Sequence, residues 1–257
     1  MAKSTTTYRY SIRRIVGIVL GLLLLANTAA AESDIFFPPH SRPFHKTFPR
    51  WSAEWWQFVL SFPMPENPLL DSTGEKCAIG QHGPVWFLMG ALGGSVERRC
   101  SVPARKALFF PVVNLVNVNT NTQTAEALRA EIASCFDGVT TLSVEVDGTP
   151  IEGLQRHPDR FRVRSVAFDV TLPAKNLFEV FAVVLPSGIY SPAVSDGFYI
   201  MLKPLDVGDH LLRIHGESPC GSPFDVTYRL TAAPSNLDSA EAKEEAKEES
   251  HARDSTD

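Results

Sequence analysis

Two hydrophobic rhythms divide the chain. Over residues 51–62 the apolar positions Trp51, Trp55, Phe58, Val59 and Phe62 fall at i, i+4, i+7, i+8 and i+11, the spacing of one helical face. Trp56 and Leu60 widen that face and leave Glu54, Gln57 and Ser61 as its polar side. Pro49 and Pro63 bracket the segment, so the pattern predicts a helix over 51–62. A polar arc this narrow predicts burial on more than one side, as for a helix packed under a sheet. A second helix is expected after Thr124, an N-capping residue type. It would carry Leu128, Ile132, Cys135 and Phe136 on one face and stop at Asp137-Gly138.

Elsewhere the period is two. Leu142, Val144 and Val146 alternate with polar neighbours, as do Phe161 and Val163, then Phe168, Val170 and Leu172, then Phe224, Val226, Tyr228 and Leu230. Shorter apolar runs at 85–88, 108–113 and 181–185 add buried-strand candidates, and 96–102 adds another strand. The segment around Asn114, Asn117, Asn119 and Asn121 reads as a solvated connection. Many short strands separated by Gly and Pro turns predict a mostly β chain, an antiparallel β-sandwich of Ig-like or jelly-roll-like type. The Trp-rich helix and one further short helix would pack on it. The boundaries are a leader at 1–31, an extended Pro- and Phe-rich segment at 32–49, a single domain at 50–233, and an acidic tail at 234–257. The tail's like charges recur at i, i+4 (Glu241 with Glu245, Lys243 with Lys247), which disfavours a helix and predicts disorder.

The leader sets the compartment. Lys3, Arg9, Arg13 and Arg14 precede an apolar run at 15–26, and Ala29-Ala30-Ala31 supplies small residues for a peptidase. This is the pattern of a cleaved secretory signal with Glu32 as the mature start. The apolar run is shorter than the roughly 18 residues a spanning helix needs, so the mature chain is expected to be exported, periplasmic or secreted, without a transmembrane helix. Four cysteines in an exported chain favour disulfides. Of three connectivities, Cys77–Cys100 is favoured because a hairpin would bring those residues together, and Cys135–Cys220 follows by elimination. No C-x-x-C or H-x-x-x-H spacing supports a metal, and no cofactor is expected. The formal charge of -5 at pH 7, without clustered basic residues, argues against a nucleic-acid partner.

All four tryptophans lie between Trp51 and Trp86. This block is the candidate site, with Trp55, Trp56, Gln57, Gln81 and Trp86 as binding residues. Tryptophan offers contact area at low entropic cost, so a non-enzymatic binding or envelope-associated module is favoured, its partner a carbohydrate, a protein or another envelope component. In that reading Trp56→Ala removes capture and leaves the fold intact, whereas burial of every Trp would count against binding and catalysis alike and make the block a folding core. The alternative is a hydrolase or lyase of extracytoplasmic polymer with Asp71 and His82 as an acid–base pair. Phosphate loops, dinucleotide-binding turns and H-E-x-x-H are absent. The segment 93–97 fails as a nucleophile elbow because Glu97 stands where the second glycine belongs.

The block Trp51-Ser-Ala-Glu-Trp55-Trp56-Gln57, then Asn67-Pro-Leu-Leu-Asp71-Ser-Thr-Gly74, then Cys77-Ala-Ile-Gly80-Gln81-His-Gly83-Pro84-Val-Trp86-Phe-Leu, resembles a family of uncharacterised exported bacterial proteins. The likeness runs from about residue 50 to 231 and includes Ser195-Asp196-Gly197-Phe198-Tyr199 and Pro204-Leu205-Asp-Val-Gly208-Asp-His210. It implies export from a bacterium and supplies no activity or catalytic residue.

Overall fold

The structure is a computed structural model that describes residues 35–139 and 141–234. The leader at 1–31 and the tail at 235–257 lie outside them. Among the described residues, two helices and two open sheets make three layers. Helix α1 spans Phe48–Leu60 and α2 spans Ala125–Ala133. The strands are β1 Val85–Phe87, β2 Gly94–Pro103, β3 Ala107–Val118, β4 Leu142–Val146, β5 Thr149–Pro150, β6 Arg162–Arg164, β7 Phe168–Leu172, β8 Gly188–Leu202, β9 Gly208–Gly216 and β10 Phe224–Ala233. The first sheet runs β1-β3-β8-β6, with β7 also on β8, and the second runs β2-β10-β9-β4-β5.

Side-chain alternation explains the layering. On β3 and β8, Leu108, Phe110, Phe198, Ile200 and Leu202 join a core with Leu212, Ile214, Val226, Tyr228 and Leu230 of the second sheet. Their neighbours Phe109, Tyr199 and Met201 point to the opposite face, where they meet Trp55, Phe58 and Val59 of α1. The first sheet is therefore covered on both faces, and β3 and β8 read as nearly continuous apolar runs. The second sheet has one wet face, and its strands alternate cleanly. Segment 35–47 is docked: the Phe37 N–H donates to the Met201 carbonyl at 2.8 Å, and Phe36 bridges Leu202.

Three expectations need correction. The sheets are mixed, not purely antiparallel, and they form no clear Ig-like or jelly-roll-like sandwich: β1 pairs with β3, and β2 with β10, in parallel. Helix α1 starts three residues before Trp51, because Pro49 sits within its first turn, where no N–H is needed. Strand β3 continues through Asn114 and Asn117 to Val118, paired with β8, so those asparagines belong to a strand and not to a loop. α2 begins as expected, with the Thr124 side chain accepting from the Ala127 N–H at 3.2 Å.

Both expected disulfides form, Cys77–Cys100 and Cys135–Cys220. They accord with an oxidising, extracytoplasmic setting. No hairpin joins Cys77 to Cys100, however, since β1 and β2 lie in different sheets. Instead the loop after Asp71 folds back on β2, with Arg99 N–H donating to the Thr73 carbonyl at 2.8 Å. Gly74 permits this approach: its φ is +94°, and a Cβ there would lie 2.2 Å from the Arg99 oxygen. Among the described residues no helix is long and apolar enough to cross a membrane.

Arg98 is a deeply buried cation, only 2% exposed. Its Nε donates to the Asp71 carbonyl at 2.6 Å, Nη1 to the Met89 and Gly90 carbonyls at 2.9 and 2.8 Å, and Nη2 to the Leu69 carbonyl at 3.3 Å. Nη1 also lies 3.1 Å from the Tyr228 hydroxyl. Replacing Arg98 with Met strands those carbonyls. Each buried acceptor left without a donor costs about 1–3 kcal/mol, so Arg98→Met should lose about 3 kcal/mol or more of unfolding free energy. Arg98→Lys, with a single ammonium, should fall between Met and Arg. Urea denaturation of the oxidised protein measures both.

Candidate functional site

Most of the aromatic block is structural. Trp51, Trp55, Trp56 and Trp86 are only 4%, 1%, 6% and 6% exposed. Two indole N–H groups are tied to backbone, Trp51 to the Pro43 carbonyl at 3.1 Å and Trp55 to the Leu88 carbonyl at 3.0 Å. Trp86 lies in the core between the sheets, with Lys106 Nζ 5.7 Å from its ring centroid. Gln57 donates to the Asp169 carbonyl at 2.9 Å and so fastens α1 to β7. Gln81 acts as a one-residue strand along the outer edge of β1. Its Oε1 accepts from the Phe87 N–H at 2.9 Å and its Nε2 donates to the Phe87 carbonyl at 2.8 Å.

Asp71 and His82 are not brought into hydrogen-bond contact. Asp71 closes its own turn, accepting from the N–H groups of Thr73 and Lys76 at 2.9 and 2.8 Å and from the Thr73 hydroxyl. Partial burial pushes its pKa up, but these donors outweigh burial and hold it below the usual carboxylate range. The His82 ring contacts the Gly80 carbonyl at 3.0 Å and faces a polar surface groove over Lys46, Arg50 and Glu54. Asp71 lines a different, very small void beside Arg98 and Tyr228. Within the described residues no cluster of His, Cys, Asp and Glu could hold a metal ion.

Two members of the predicted set do share a surface. Trp55 and Trp56 form part of the wall of a cleft of about 350 Å³. The cleft runs along β3, lined there by Pro111, Asn114, Leu115 and Val116. Leu177 and Phe178 close it on the helix side, and the segments 90–92 and 218–224 close it on the other. Its lining contains no ionisable side chain. The rim is apolar and open, with Leu92 40% and Phe181 57% exposed. The run at 181–185, read from sequence as a strand, instead follows a 3-10 turn (Leu177–Phe181) and is exposed, apart from a half-buried Leu185.

Polar groups converge at the inner end of the cleft. Asn114 Nδ2 donates to the Tyr199 hydroxyl at 3.0 Å. Complete burial pushes the Tyr199 pKa up to about 12, against the effect of that hydrogen bond, so the phenol stays neutral. The Trp56 N–H is close to the same hydroxyl without completing a hydrogen bond. Sequence reasoning missed most of this site because β3, the 177–181 turn and the 218–224 loop are far apart in the chain. The available signal was the uncharged, mostly apolar run that continues past Val113 through Leu115, Val116 and Val118.

A further pair of shifted groups, His210 and Asp147, lies at the surface. His210 Nδ1 contacts Asp147 Oδ2 at 2.7 Å and Nε2 contacts the Asp206 carbonyl at 3.0 Å, so both ring nitrogens face acceptors. Partial burial lowers the His210 pKa, but Asp147 and the Asp206 carbonyl outweigh it and the net shift is upward. For Asp147 burial acts upward and is outweighed by the hydrogen bonds from His210 and the Leu211 N–H, so its pKa falls.

Comparison with known proteins shows no relative: no family model, no curated protein and no solved structure matches the chain.

Two predictions follow from these placements. With Trp56 buried, Trp56→Ala is expected to cost about 3–5 kcal/mol and to broaden or abolish cooperative unfolding by urea. This corrects the expectation that the ring can be removed without harm to the fold. For the His210–Asp147 pair the sign is set by the shifts. The histidine's contribution is complete below its ordinary value of 6.5 and fades as pH rises through its raised folded value. The aspartate's is complete above its ordinary value of 3.8 and fades as pH falls through its lowered one. The pair is therefore strongest between those two ordinary values. His210→Gln should flatten the loss of stability as pH rises above the ordinary value of 6.5, by no more than about 1 kcal/mol for a partly exposed pair. Thermal melts across that range, compared with the parent, read it out.

Proposed function

We propose that this protein is an exported, non-enzymatic binding module that takes an uncharged apolar group of its ligand into the cleft along β3. The observation that carries this reading is the lining: aromatic and aliphatic walls, a neutral amide at Asn114, and no ionisable side chain. Its volume sits near the lower bound of the roughly 300–1,000 Å³ of ligand pockets. Acid–base catalysis needs a titratable group within reach of the reacting atoms, and this lining offers none. The aromatic block serves binding through the faces of Trp55 and Trp56 that border the cleft. Export is supported by the leader pattern and by two disulfides of the kind that persist in oxidising compartments. The resemblance to exported bacterial proteins accords with it.

The uncharged dye N-phenyl-1-naphthylamine tests the reading. Its fluorescence should rise saturably with the oxidised mature chain, at one site. Leu92→Glu and Phe181→Glu, both at exposed rim positions, should each weaken binding about tenfold, because an apolar dye must then pass a charged side chain, a penalty on the order of 1–2 kcal/mol. Unchanged dye affinity in both variants, or no saturable binding by the parent, would remove the cleft as the site.

A further inference from the structure

We propose that the occupant of the cleft is an extended polypeptide segment that adds as a strand to the free edge of β3. This rests on the binding reading above and narrows it to one class of ligand.

The first support is the incompleteness of the first sheet. β1 pairs with β3 only at residues 107–109. From 111 to 118, β3 pairs with β8 on one side, and no strand among the described residues pairs with the other. Pro111, which has no N–H to offer, stands where the bare edge begins, a position a central strand would not tolerate. The side chains beyond it, from 114 to 117, change from buried to half-buried. Backbone donors and acceptors along this edge have no strand to pair with, yet they border apolar walls.

The second support is how the edge is guarded. Unpaired edges invite sheet-to-sheet association, and proteins usually blunt them with charge, proline or a covering element. β3 carries no charged residue anywhere along its length. Its edge is instead recessed, between the 90–92 segment and the 218–224 loop on one side and the turn at Leu177–Phe181 on the other. The Cys135–Cys220 disulfide pins the loop wall to the end of α2. A recess of this kind excludes the flat edge of another sheet and admits a single strand.

The third support is the placement of the walls. Along β3, Val116 packs toward the core under α1, while Val113 and Leu115 pack toward the core between the sheets. A strand added in the same plane would send alternate side chains to those same two sides. One set would meet Trp55, Trp56 and Phe178, and the other Leu92 and Phe224, all of which line the cleft. With no ionisable group in the lining, the segment bound is uncharged and apolar at alternate positions. Main-chain hydrogen bonds would give affinity and the two walls selectivity, as in other strand-addition sites.

The test uses the oxidised mature chain and a library of eight-residue peptides with an apolar residue at every second position, scored by displacement of N-phenyl-1-naphthylamine. The best peptide is then made as two twins, each N-methylated on one alternating set of amides. One twin should bind at least about tenfold more weakly, having lost several ladder hydrogen bonds, while the other keeps its affinity. Amide hydrogen exchange should slow within residues 113–118 when the unmethylated peptide is bound. Equal affinity of both twins overturns the proposal, and so does the absence of any displacing peptide while the dye still binds; in both cases the apolar cleft stands as a site for another ligand. Failure of the dye itself to bind removes the cleft and the strand together.

Discussion

The guanidinium of Arg98 fixes the junction on which the rest of the molecule depends. A charge this deeply buried is costly unless every donor finds an acceptor. Here the acceptors are carbonyls of two separate loops, at Leu69 and Asp71 and at Met89 and Gly90, together with the Tyr228 hydroxyl. Turning backbone presents carbonyls in directions that no neighbouring strand can satisfy, and only arginine offers five donors in one plane. Tyr228 completes the arrangement: its hydroxyl accepts from the Met89 N–H and donates to the Met89 carbonyl, both at 2.9 Å. Burial raises the Tyr228 pKa despite the adjacent guanidinium, so it remains a donor.

That junction has a topological consequence. After Leu88, whose N–H still reaches the Phe109 carbonyl at 3.0 Å, the backbone is drawn away from β3 toward Arg98. β1 therefore ends early, and the edge of β3 is left bare from Pro111 onward. The same departure places Gly90, Ala91 and Leu92 as one wall of the cleft. Across from them, Trp55 is held by its hydrogen bond to the Leu88 carbonyl. A single buried cation thus decides where a strand stops, and so where a binding surface can exist.

Much of this architecture was legible in the sequence, and the reasons are local. Helix α1 and its apolar stripe, the Thr124 cap and the two-residue rhythm of β4, β7 and β10 are set by near neighbours, and pattern reads them well. The two disulfides were legible because few pairings were possible. The parallel pairings were not, since β2 meets β10 across more than a hundred intervening residues and no turn signal announces such a partner. The exposed run at 181–185 reads as a strand because its apolar composition resembles that of a buried one; of its residues Phe181 borders the cleft. The candidate residues divide the same way. Trp55 and Trp56 reach the site, while Gln57, Gln81 and Trp86 hold structure in place, a difference fixed by what each side chain meets across the fold.

The charged groups around the first sheet are taken up in structure. The Asp71 carboxylate is engaged by its own turn, and Glu54 is paired with Lys46 and Arg50. Asp196, 3% exposed, is held by Arg162 and Arg164, and its hydrogen bond is the largest influence raising the Arg162 pKa. Gly197 next to it admits the close pass of β3, since a Cβ there would lie 2.4 Å from the Val113 oxygen. These groups stabilise turns and sheet edges, and none of them lines the cleft. The strongest perturbations belong to a fully buried tyrosine and to Arg162, paired with Asp196, while the shifted His210–Asp147 pair lines a separate surface cavity of about 580 Å³. What reaches the cleft is neutral: an amide, aromatic faces, aliphatic walls and an unpaired stretch of backbone. Such a surface offers shape and main-chain hydrogen bonding, without charge.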